Sequence, residues 1–232
     1  MIKIRQANQC GSADYGWLQA RYSFSFGHYF DPELFGFKTL RVLNQEVLAP
    51  GHSFQAKTYP NVDIVNIILQ GRAEYRDSLG HKAYAEQGEC LRFSPQPGIH
   101  YSEHNCGTNQ LTRLQLWINA CPQKDYHPPQ KITFDKQKLS LIASPQGEQG
   151  SLIVRQNIWI HHIHLAAGEH IALSLNGKHG YLQSIQGPIN LTSTSALSQQ
   201  LHCGDGVFLH HEPYLSLTAK ADFQGLLIDL AE

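Results

Sequence analysis

Along most of this chain apolar and polar positions alternate with a period of two, the mark of strands that bury one face. In RYSFSFGHYF the aromatics Tyr22, Phe24 and Phe26 alternate with Ser23, Ser25 and Gly27, which predicts a strand before the Asp31-Pro32 turn. FKTLRVLNQEVLAPG reads as a second strand ending at Pro50-Gly51. Residues 62–69 hold the β-branched Ile64, Val65, Ile67 and Ile68, suited to a central strand. RAEYRD, the turn Ser78-Leu79-Gly80 and HKAYAEQGECLRF predict a hairpin. In Leu111–Asn119, Leu114, Leu116 and Ile118 fall on one face and Gln115, Trp117 and Asn119 on the other. No segment of the first half carries a helical period.

Residues 121–130, CPQKDYHPPQ, have the proline-rich polar composition of a semi-rigid connector. The strand pattern then resumes through Ile158–Leu165, residues 180–186, the strand-like TSTSALSQQL, GDGVFLHHEP and Phe223–Leu230. Short strands punctuated by Gly and Pro in two similar blocks predict an all-β chain of two β-sandwich or barrel domains. The expected boundaries are 1–120, a linker at 121–137, and 138–232. Gln70-Gly71 and Gln87-Gly88 have loose counterparts in Gln186-Gly187 and Gly204-Asp205-Gly206, consistent with a tandem of one fold.

Composition narrows the function classes. With 18 Lys+Arg against 19 Asp+Glu, the chain has no basic bias toward nucleic acid. No apolar run approaches the roughly 20 residues that span a bilayer, and MIKIRQANQCGS lacks the centre of a signal peptide, so a cytoplasmic protein without membrane contact is expected. The five cysteines form no C-x-x-C pair, which argues for reduced thiols over a disulfide framework or structural zinc.

The glycines, prolines and final asparagine of GHSFQAKTYPNVDIVNIILQG and GECLRFSPQPGIHYSEHN are spaced like the two motifs of a cupin β-barrel. The run RYSFSFGHYFDPELFGFKTLRVLNQEVLAPG, then DIVNIILQGRAEYRDSLG, PGIHYSEHN and LQLWINA, resembles the signature blocks of the pirin family over most of residues 20–120. The second half matches only in size and strand pattern. The resemblance implies a bicupin, two cupin jelly-roll barrels in one chain. It also implies a mononuclear iron-type site in the first barrel, held by a His-Pro-His run, a later His and a Glu two residues beyond. Some pirins are associated with a quercetinase-type dioxygenase activity.

Carried onto this chain, the His-Pro-His slots fall on Lys57, Thr58 and Tyr59, and the later block on Tyr101, Ser102 and Glu103. Of the four ligand positions only Glu103 keeps a competent ligand, since a lysine ammonium offers no lone pair near neutral pH. His52, His100 and His104 lie nearby, but neighbours on a strand face opposite ways, so His100 and Tyr101 should not share the interior. The expectation is a metal-free, cofactor-free site of Lys57, Tyr59, Tyr101 and Glu103. There a Lys57–Glu103 pair replaces metal–carboxylate attraction, and Lys57 with the tyrosine hydroxyls holds a small anion or other small molecule.

Other residues compete for attention. His162 and His164 share a strand face and would bind a metal if a third ligand arrived; His202-Cys203 and His210-His211 are possible donors, and exposed histidines are the plainer reading. Cys121, at a strand exit with Lys124 close in sequence, and Cys10, in a polar loop, are candidates for reversible oxidation; Cys90 reads as buried and inert. Three function classes stay open: a small-ligand-binding or redox-responsive protein, an altered or weak metal-dependent quercetin-type dioxygenase, and a protein-interaction module. A monomer is expected, because two barrels already pair within one chain.

Overall fold

A computed structural model describes residues 1–134, 137–194 and 198–231. The chain forms two compact units, one of Gly11–Thr133 with Leu152–Gln156, the other of Met1–Cys10, Phe134–Ser151 and Asn157–Glu232. Both are all-β among the described residues, apart from the 3₁₀ turns Ala7–Gln9 and Glu148–Gly150. No helix among those residues is long and apolar enough to cross a membrane.

In the first unit a seven-stranded sheet runs in the order Gln130–Thr133, Glu89–Phe93, Val62–Gln70, Leu111–Asn119, Leu40–Leu48, Leu18–Tyr22, Gly11–Asp14. A four-stranded sheet, Ser53–Lys57, Tyr101–Asn105, Arg72–Asp77 and Lys82–Glu86, forms the other wall. The neighbouring strands of both walls pair antiparallel. The inner faces contribute Ile64, Ile68, Leu91, Phe93, Tyr59 and Tyr75 to one core. At about 25 cal/mol per Å² of buried apolar surface, such a core is the main source of the barrel's stability. Gly71 lets the chain turn between the walls at φ +81, where a Cβ would stand 2.5 Å from the Gln110 carbonyl oxygen.

In the second unit Gly206–His210, His179–Gln186, Phe223–Leu230 and Ile158–Leu165 make the centre of one sheet, facing Tyr214–Ala219 and Ile189–Ser193 around a core of Ile163, Leu182, Leu217 and Phe223. Ile189–Ser193 also pairs with Gln199–Leu201; the strand-like run TSTSALSQQL, residues 192–201, overlaps both strands and includes residues 195–197, which lie outside the described residues.

Three local outcomes differ from the sequence pattern. The aromatic run leaves the sheet after Tyr22: the Ser25 hydroxyl donates to the Asp31 carbonyl (2.8 Å) and accepts the Asp31 N–H (2.9 Å), closing a loop in which Phe24 is still buried. Ile2–Arg5 pairs with Gly206–His210 and so belongs to the second unit. Within the expected linker, Gln130–Thr133 extends the first sheet by pairing with Glu89–Phe93. A four-residue strand carries no local information about its partner, which is why pattern reading places these edges by sequence proximity alone.

Candidate functional site

The register of three central strands builds the interior of the first barrel. Leu111–Asn119 lies between Leu40–Leu48 and Val62–Gln70, so Arg113 sits opposite Glu46, and Gln115 sits between Asn44 and Asn66. Alternation puts Arg113, Gln115 and Trp117 on one face. That face looks at the four-stranded wall, because Arg113 Nη1 donates to Tyr75 Oη (3.2 Å) and to Glu103 Oε2. Its Nε and Nη2 both donate to Glu46 Oε2, at 2.9 and 2.7 Å.

Glu103, 3% exposed, is satisfied on both oxygens. Oε1 accepts the Tyr59 hydroxyl at 2.7 Å, Oε2 accepts Arg113, and Gln115 Nε2 reaches the two oxygens at 3.3 and 3.0 Å. Gln115 is itself oriented by Asn66 Oδ1 (3.0 Å) and by the Trp117 indole N–H on its Oε1 (2.9 Å). Burial pushes the Glu103 carboxyl up, but the Arg113 charge, the Tyr59 and Arg113 hydrogen bonds and the Lys57 ammonium together hold it below the usual carboxylate range. Burial and then the Glu103 charge push the Tyr59 phenol far above its ordinary value, so it stays a protonated donor. For Arg113, the two carboxylates overcome the burial penalty and raise its pKa further.

Lys57 does not make the expected pair. The cation that meets Glu103 is Arg113, while the exposed Lys57 ammonium stands over three rings, 5.1 Å from the Tyr59 centroid, 5.8 Å from Trp117 and 5.9 Å from Phe26. This is an aromatic cage of cation–π geometry. Tyr101 is Lys57's register partner. Its ring stacks on Phe93 at 5.6 Å, its hydroxyl accepts the Gln96 N–H (3.2 Å), and it lines a side cavity of about 650 Å³ with Leu91 and Ile99. The structure therefore joins Tyr59 and Glu103 in the barrel interior, keeps the exposed Lys57 ammonium over the Tyr59 ring, and turns the Tyr101 hydroxyl to the cavity beside them.

This donor set does not fit a divalent ion. A metal ligand needs a free lone pair directed at a shared centre. Here the carboxylate oxygens are taken by Arg113, Tyr59 and Gln115, the phenol keeps its proton, and lysine brings positive charge. Nearby, His52 is exposed and stacked on Trp17 at 5.9 Å, His100 is exposed, and the His104 ring is bonded to Ser102 Oγ at 2.9 Å. In the second unit His162 is buried against Phe134, ring centroids 4.8 Å apart, and burial lowers its pKa to about 4. Among the described residues no group of three or more His, Cys, Asp or Glu side chains is placed to hold a metal ion.

Cys121 is half-buried and its thiol donates to Gln123 Oε1 at 2.9 Å; Cys10, also half-buried, points at the Gln6 carbonyl from 3.8 Å. All five cysteines are free, and burial pushes the Cys90 thiol well up, as suits an inert core residue.

Sequence reasoning missed Arg113, Glu46, Gln115 and Tyr75. A signal existed: with Leu114, Leu116 and Ile118 on one face of a central strand, Arg113 and Gln115 on the opposite face of a barrel wall need buried polar partners, and a buried Arg needs an acid.

Comparison with known proteins agrees with this architecture. The Pirin family model matches residues 3–118, and that of the quercetinase C-terminal cupin domain matches residues 141–230. The chain is 54% identical to the pirin-like protein YhaK of Escherichia coli K12 over 99% of both chains. The YhaK crystal structure gives a TM-score of 0.82, covering 97% of this chain and 99% of that one. This chain is 32% identical to an E. coli quercetin 2,3-dioxygenase over 99% of both chains. The E. coli bacterial pirin YhhW, solved in complex with nickel(II), superposes with a TM-score of 0.89 at 30% identity, covering 100% of this chain and 99% of that one.

Proposed function

This chain belongs to the pirin family and is a pirin-like bicupin, and we propose that it is a non-catalytic, metal-free member that binds a small molecule at its N-terminal barrel. The observation that carries the proposal is the state of Glu103: the one family-type ligand left in the four slots spends both oxygens on Arg113, Tyr59 and Gln115. A buried carboxylate so satisfied would have to give up a charge-assisted pair to bind an ion, a loss of several kcal/mol. Two neighbouring spaces are open to a guest, the cavity of about 650 Å³ beside Tyr101 and a cleft of about 480 Å³ beside the Lys57 cage. Both are of ligand-binding size.

The competing reading is an altered quercetin-type dioxygenase. What favours it is the 32% identical quercetin 2,3-dioxygenase and the nickel-bound YhhW. Metal analysis of the purified protein, with nickel(II) titration and a quercetin-consumption assay, separates the two. The ligand-binding reading expects less than a tenth of an equivalent of metal and no turnover; one tightly held ion per chain with quercetin consumption overturns it. As a cytoplasmic monomer, the protein should elute from size exclusion with light scattering at its 26.1 kDa mass.

A further inference from the structure

A cleft lies beside the rings that carry the Lys57 ammonium. Its walls are Phe26, Phe35, Pro60, Val62 and Trp117, its volume about 480 Å³, and Arg41 is the charged residue of its lining among the described residues. Phe26 and Trp117 meet edge to face at 5.4 Å and are also two of the three rings under the Lys57 ammonium, so the cage and the cleft share a wall.

The charges beneath define what the mouth prefers. Glu46 and Glu103 bring two negative charges against the single guanidinium of Arg113, leaving one negative charge in the buried network. The exposed Lys57 ammonium stands 5.1 Å from the centroid of the Tyr59 ring, whose hydroxyl donates to Glu103, and so faces that charge from the barrel rim. Arg41, at an exposed position in the lining, is the cation that an anion entering this apolar cleft meets. We propose that this cleft binds a small aromatic carboxylate, its ring against Trp117 and Phe26 and its carboxylate on Arg41 and Lys57. Guanidinium suits a carboxylate because its planar donors match the two oxygens, and the contact is charge-assisted on both sides. The Lys57 side chain is exposed and free to turn from ring faces to a carboxylate without disturbing the core.

The inference rests on the ligand-binding reading and adds the ligand class. The test is isothermal titration calorimetry of the full chain with cinnamate, its neutral isostere cinnamamide, and the cation benzyltrimethylammonium. Cinnamate should bind saturably at one site, with affinity falling as salt rises. R41Q and K57Q, both at exposed positions, should each weaken it by about tenfold or more, the loss of one charge-assisted contact. Cinnamamide should bind at least about tenfold more weakly than cinnamate. Equal binding of cinnamamide, preferential binding of the ammonium ion, or no cinnamate binding up to millimolar concentration would overturn the aromatic-acid assignment. None of these outcomes introduces a metal, so the broader reading stands or falls separately, on the metal and quercetin assays.

Discussion

Replacing Arg113 with methionine would strip Glu46 and Glu103 of the guanidinium they share while keeping most of the apolar volume of the side chain. Both carboxylates are about 3% exposed, so neither can recover water in the folded state. Removing one partner of a buried pair costs about 3–5 kcal/mol, mostly because the remaining charge is left unpaired. At about 2–4 °C per kcal/mol for a chain of this size, the melting temperature of the first unit should fall by roughly 6–20 °C. Fluorescence is a suitable probe, since Trp17 and Trp117 lie in that unit. The pH dependence separates charge from packing. In the wild type Glu103 has a lowered pKa, so its stabilisation is present above the ordinary carboxylate value and lost as pH falls through the lowered one. In R113M burial dominates and raises that pKa, so the penalty is largest near neutrality and fades on acidification. The stability gap between the two proteins should therefore narrow from pH 7 to pH 4, and E46Q/E103Q/R113M should recover most of the loss. A gap below about 1 kcal/mol, or one that does not change with pH, would refute the claim that this barrel is organised around a buried ion-pair network.

Three further outcomes follow from the same geometry. His162 is held neutral in the fold with a pKa near 4 against 6.5 when free, so its contribution is present above pH 6.5 and lost as pH falls toward 4. That amounts to about 3 kcal/mol; H162F should flatten the acid limb of a urea-midpoint-versus-pH curve, and an unchanged limb would show the histidine is not responsible. Gly71→Ala forces a side chain into a positive-φ turn 2.5 Å from the Gln110 oxygen and should destabilise by at least about 1–3 kcal/mol in guanidinium unfolding; a neutral result would mean the turn re-forms differently. If the chain is redox-responsive, mild peroxide followed by peptide mass spectrometry should modify Cys121 or Cys10 ahead of the buried Cys90, and no selective adduct at either thiol would remove that role.

Much of the barrel was legible because strand patterning is local. The β-branched run at 62–69, the Ser78-Leu79-Gly80 hairpin and the alternation through Leu111–Asn119 each appear as strands where the pattern puts them. The aromatic run was legible as burial but not as pairing: Phe24 is 1% exposed, yet the Ser25–Asp31 hydrogen bonds replace the ladder. The slots implied by the pirin resemblance fall on Tyr59 and Glu103, which touch, and on Lys57 and Tyr101, which are register partners. The resemblance could not reveal that Arg113, ten residues beyond Glu103, is the partner charge, because that contact depends on two sheets facing each other.

By itself, then, the sequence determined the residue types offered to the barrel: alternation and turn chemistry act over a few residues, and the pirin resemblance implies that Lys57, Tyr59 and Tyr101 stand in the slots where that family has histidines. Only the tertiary structure decided which charges meet. Cross-strand register set Arg113 against Glu46 and closure of the barrel carried Glu103 onto the same guanidinium, leaving Lys57 to the ring faces of Phe26, Tyr59 and Trp117. The physical reason is burial: in a water-excluded interior each carboxylate must find a partner through space, and the partner that satisfies it is fixed by the geometry of the sheets rather than by distance along the chain.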